Sequence, residues 1–100
     1  MNEFEIRAHA LRLGYKAERQ QMQKAFELHV GHLNTAMGQV TLPEAKEALK
    51  AEKERVKEAH RQSMVWHRRC YLQQVDLLNE EKCEQYRLNP SIRALRCAAV

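Results

Sequence analysis

The chain is poor in the residues that interrupt helices. Its 100 residues hold three glycines and two prolines, so few places exist where a helix must stop. Val, Ile and Thr are scarce, which excludes a sheet of any size. No run approaches the roughly 18 apolar residues of a membrane span. Met1 is followed by acidic, amphipathic sequence and not by an apolar signal core. The chain therefore reads as cytoplasmic, or as a mature domain whose export segment has been removed. Three widely spaced cysteines make no disulfide framework. Their odd number suits a reducing compartment or one functional thiol, and equally suits small apolar side chains used for packing.

Other absences bear on function. There is no glycine-rich phosphate loop, no HExxH, no nucleophile elbow and no CxxC, so an enzyme is not expected. Lys and Arg number 17 against 13 Asp and Glu, a formal charge of +4, with both signs interspersed. A nucleic-acid binder usually gathers its positive charge on one element, so that role is disfavoured.

What is abundant is Ala, Leu, Glu, Lys, Arg and Gln, the composition of long helices. The segment GQVTLPE, residues 38–44, is the one turn-like cluster in the first three quarters of the chain. Gly38 can close a helix in the left-handed conformation. Thr41 and Glu44 have capping-box spacing, and Pro43 falls in the first turn of the next helix. Helices are thus expected over about 3–37 and 42–77.

The first carries Phe4, Ala8, Leu11, Tyr15, Met22, Phe26, His29, Leu33 and Met37 on one stripe. The second carries Ala45, Leu49, Val56, Ala59, Ser63, Trp66, Cys70 and Leu77. Alternating steps of three and four indicate an antiparallel hairpin with a coiled-coil-like seam. A turn centred near residue 40 sets Tyr15 against Trp66, Leu11 against Cys70, Met22 against Ala59, Glu18 against Ser63 and His29 against Glu52. A break is expected near Asp76–Asn79, followed by short hook helices over about 80–87 and 90–98, capped by Asn79 and Asn89. One stripe per helix buries little apolar surface. Val30, Val40, Met64, Val65, Leu72, Val75 and Leu78 lie off it, so the all-α hairpin is expected to form a homodimeric helical bundle.

Three segments carry a resemblance: NEFEI at the start, TLPEAKEAL opening the second helix, and LLNEEKCEQYR at the hook. In these the chain resembles the periplasmic metal sensors of cobalt–nickel resistance, which belong with the Spy-like, LTXXQ-motif stress chaperones and zinc-resistance proteins. Leu78, Glu81 and Tyr86 fall where the sensors keep a Leu, an acidic residue and a Tyr, while Lys82 stands where the LTXXQ pattern wants Gln. The resemblance implies a periplasmic, metal-responsive or stress-protective binding protein. It also puts Cys70 in the place of a metal-binding His and Gln74 in the place of a Met ligand. A thiolate can ligate; an amide poorly replaces a thioether.

The residues themselves offer two kinds of site. His67 and Cys70, one helical turn apart, could join His9 or a second subunit in a soft site for Zn, Ni, Co or Cu. Alternatively Cys70 packs in the seam and His67 faces solvent. His29 and His32, with Glu52 and Glu47 near, make a weaker cation pair, better explained as a register-fixing contact between His29 and Glu52. His60 reads as exposed. Cys83 and Cys97 either form a disulfide tying the last helix to the hook or remain thiols. The rival to a metal role is a protein–protein interaction module: an adaptor, an inhibitor or an assembly chaperone. Its anchors would be Trp66, Arg68, Arg69, Tyr71 and Tyr86, since aromatics and Arg dominate interface energetics.

Overall fold

The computed structural model describes residues 2–88. Two α-helices, α1 (Glu3–Gln39) and α2 (Pro43–Leu88), pack antiparallel as an elongated hairpin with no strand among the described residues. Neither helix is long and apolar enough to cross a membrane. The N-terminus of α1 is closed by Asn2, whose side chain accepts from the Glu5 N–H at 2.8 Å and donates to the Glu5 carboxylate at 3.3 Å. That reciprocal cap satisfies an orphan backbone donor, and Glu3 and Glu5 face the positive end of the helix dipole. It could be read from the spacing of Asn2 and Glu5 alone.

The turn is simpler than its glycine implies. Gly38 stays right-handed; no glycine among the described residues has positive φ. α1 runs on to Gln39 and stops because Val40 turns extended while its N–H still reaches the Ala36 carbonyl at 3.2 Å. α2 starts at Pro43, where the missing N–H costs nothing, and Lys46 N–H donates to the Leu42 carbonyl.

The seam follows a different period from the one expected. On α1 the covered side chains are Leu11, Tyr15, Arg19, Met22, Phe26, Val30, Leu33 and Met37; on α2 they run from Ala45 and Leu49 through Lys53, Val56, His60, Met64, His67, Tyr71, Val75, Leu78 and Lys82 to Tyr86. Both series step by four, four and three, an 11-residue repeat of three turns. That repeat averages slightly above the natural 3.6 residues per turn, so it calls for no left-handed supercoil. A strict alternation of three and four would need one.

This difference accounts for the displaced contacts. His29, Ala59, Ser63, Trp66 and Leu77 were expected in the seam, yet their successors Val30, His60, Met64, His67 and Leu78 occupy it. His29 is exposed and Glu52 pairs with Arg55 instead, so the His29–Glu52 contact does not form. Tyr15 meets His67 and Tyr71, not Trp66, and Glu18 meets His67, not Ser63.

The break near Asp76–Asn79 is also absent: α2 continues through 80–87 to Leu88. Val75, Leu78, Lys82 and Tyr86 sustain the seam there, and the Arg7–Glu81 and Phe4–Tyr86 contacts to α1 hold the extra turns. The expected helix over 90–98 lies outside the described residues. Burial is sparse. Phe4 and Leu78 alone are buried among the described residues, both at the open end of the hairpin.

The two periods make opposite predictions at one pair of neighbours. Val30→Asn is expected to destabilise by about 1–2 kcal/mol, and His29→Asn to stay within about 0.5 kcal/mol. Urea unfolding followed by circular dichroism distinguishes them.

Candidate functional site

The chemistry-bearing residues gather in the open half of the hairpin, around Tyr15. Its ring stacks on Tyr71 at 4.2 Å between centroids and on His67 at 4.9 Å. The Arg19 guanidinium sits 5.2 Å from the same ring and donates to the Met64 carbonyl across the seam. Three turns of α1 closer to the hairpin turn, His60 lies flat on Phe26 at 4.0 Å and its Nε2 meets the Gln23 amide oxygen at 3.1 Å. His60 is therefore half-buried and stacked, contrary to the exposed position expected for it.

His67 is the most constrained of these side chains. Only 17 % of it is exposed, and Nε2 lies 2.6 Å from a Glu18 carboxylate oxygen. A carboxylate only accepts, so in the neutral ring the proton sits on Nε2. Nδ1 is then a lone pair, and it is buried with no partner. The ring is oriented by its stack and by one bond.

Beyond His67 a cleft of about 520 Å³ opens along one face of the hairpin. Arg7, Ala10, Gly14 and Glu18 form its α1 rim; Cys70, Gln74, Leu77 and Glu81 form its α2 rim. The Arg7 guanidinium closes one end with two bonds to the Glu81 carboxylate, at 2.9 and 3.0 Å. This hydrogen-bonded pair holds the Glu81 carboxyl below the usual carboxylate range and raises Arg7. The Arg61 guanidinium does the same for Glu58 on the outer face of α2.

The expected metal set does not assemble. His67 and Cys70 line the same cleft, but His9 is exposed and its Nδ1 contacts Arg12 at 2.8 Å on its own helix. Among the described residues no group of three or more His, Cys, Asp and Glu is placed to hold a metal ion. Two candidate ligands with the third turned away do not fit a closed site for Zn, Ni, Co or Cu. Cys83 is exposed, and Cys97 lies outside the described residues, as does any pairing between them.

The expected partner anchors are divided among three surfaces. Trp66 is 64 % exposed and shares a shallow surface with Val65, Arg61 and Arg69. Tyr71 is taken up by Tyr15, and Tyr86 packs edge-on against Phe4. Arg68 is exposed, more than a quarter-turn from Cys70. The reading from sequence missed Tyr15, Glu18 and the Arg7–Glu81 clasp as site residues. Spacing from the turn marks none of them, since Arg7 and Glu81 are not equidistant from residue 40.

Comparison with known proteins supplies no relative: no family model, no curated protein and no solved structure matches the chain.

Two measurements check this electrostatic arrangement. Carboxyl-detected NMR should find Glu81 titrating below an ordinary glutamate and returning to the ordinary range in Arg7→Gln. Because its folded value is depressed, the contribution of Glu81 to stability is present above the unfolded value and is lost as pH falls through the folded one. Imidazole ¹⁵N spectra of the neutral ring should show the His67 proton on Nε2, with that preference weakened in Glu18→Ala.

Proposed function

We propose that the chain is a helical protein–protein interaction module whose open half binds another helical surface. The observation that carries this reading is the distribution of apolar side chains. Among the described residues Ile6, Leu13, Val65, Trp66, Leu72, Leu77 and Leu88 are each about half exposed or more in the half of the hairpin away from the turn, against Leu28 and Leu42 in the other half. Single exposed apolar residues are ordinary; a concentration in one half of the molecule, with Leu77 lining the cleft and Trp66 and Val65 sharing a neighbouring surface, marks an interaction site. Trp66 is the natural anchor, a large amphipathic side chain flanked by Arg61 and Arg69 that can fill a partner's pocket.

The mechanism is helix-face recognition. The hairpin's own seam holds the two helices in register, and the flank carrying Trp66 and Leu77 meets the partner. A homodimer and a different partner protein are both compatible with such a surface. The metal-responsive reading implied by family resemblance has narrower support: His67, Cys70 and Glu18 line one cleft. It would need further ligands from outside the hairpin.

Affinity capture with the wild-type chain, with Trp66→Ala and with Leu77→Ala tests the interaction reading. A protein retained by the wild type and lost by at least about tenfold in both variants, helicity unchanged, is the expected result. Equal recovery by all three would overturn it.

A further inference from the structure

One feature of the open half has no explanation within a single hairpin: Gly14, inside α1 and on the lining of the cleft. A glycine inside a helix is destabilising relative to alanine. Yet a Cβ added there would meet nothing within 4 Å. Nothing among the described residues uses the space that Gly14 leaves.

We propose that the cleft is the interface with a second copy of the chain, packed face to face and antiparallel about a two-fold axis through its centre. The proposal rests on the interaction reading above and names the partner of that surface. Both walls of the cleft are self-complementary when inverted. On α1, Arg7 and Glu18 lie equally far from the midpoint between residues 12 and 13, and so do Leu11 and Gly14. Laid antiparallel, Arg7 of one copy meets Glu18 of the other, and Leu11 enters the space over Gly14. On α2, Cys70 and Leu77 lie equally far from the midpoint between Gln73 and Gln74. A small side chain there faces a large one across the same axis.

The two midpoints must sit at one height for a single axis to serve both helices. They do, because the Tyr15–Tyr71 stack sets the same offset between α1 and α2 as the two midpoints require. The charges are also available. Arg7 has five N–H donors and gives two bonds to Glu81, while Glu18 has one oxygen on His67. An isologous contact of this kind closes on itself and leaves no further copy to add.

The test begins with sedimentation velocity of the full chain in reducing buffer, where a dimer is expected. Gly14→Leu should raise the dimer dissociation constant by about tenfold or more while circular dichroism stays helical, since the added side chain fills the space that Leu11 of the other copy would enter. Orientation is read by cysteine cross-linking in a chain with Cys70, Cys83 and Cys97 changed to serine. Gln74→Cys should oxidise to a covalent dimer, because the two copies of position 74 lie about 1.5 Å apart along the axis. Arg68→Cys, on another face, should not.

A wild-type monomer that still loses its captured partner on Trp66→Ala would overturn the dimer and leave the interaction reading standing. A dimer that tolerates Gly14→Leu and gives no cross-link at position 74 would overturn this interface. Should Gly14→Leu unfold the chain, the cross-link at position 74 decides alone.

Discussion

Two helices lying side by side can bury one stripe each, and the rest of this molecule follows from that limit. A stripe covered on one side only leaves most of its members half-exposed, which is why Phe4 and Leu78 alone are buried among the described residues. Contacts that work at a half-wet boundary then gain importance. Stacked rings do so because an aromatic face is covered by its partner while its polar edge stays near water. Tyr15 between His67 and Tyr71, and Phe26 beneath His60, are contacts of this kind. They fix the register that an ordinary leucine core would otherwise have set.

The histidines of the seam thus have a structural use that excludes part of a chemical one. His67 Nε2 is engaged with Glu18 and Nδ1 is buried, so neither nitrogen is presented to an incoming ligand in the hairpin as it stands. A thiol one turn away, at Cys70, does not change that. Residues with ligand-like identity at ligand-like spacing are ordinary in a helical seam, and the third group decides between the readings. Here the third group, His9, faces its own neighbour Arg12.

The same limit connects fold to function. Apolar side chains on the flanks of the seam have nowhere to go inside one hairpin, and they concentrate where the helices are farthest from the turn. A surface of this composition beside an open cleft is the usual preparation for a further layer of helix. The polar ends of the cleft, Arg7 with Glu81 at one end and Glu18 with His67 at the other, set limits on how such a layer can align.

Much of the architecture was legible in the residues. Helix-rich composition, a single punctuated segment and Pro43 at a helix start sufficed for two long antiparallel helices, because local propensity and one turn leave little choice. The period of the seam was not legible. Trp66 and Ala59 are more apolar than His67 and His60, Val30 and Met64 are more apolar than His29 and Ser63, and Leu77 equals Leu78, so side-chain character alone favours neither stripe throughout. Choosing between repeats of seven and eleven residues requires the partner helix, which sums small preferences over the whole length. The continuation of α2 past Asn79 was decided the same way, by contacts to Phe4 and Arg7 that lie some seventy residues away in the chain. The sequence therefore determined that there would be two helices and where they turn. Tertiary packing decided which face each helix buries, because a rotation of one residue costs little within a helix and everything in the seam.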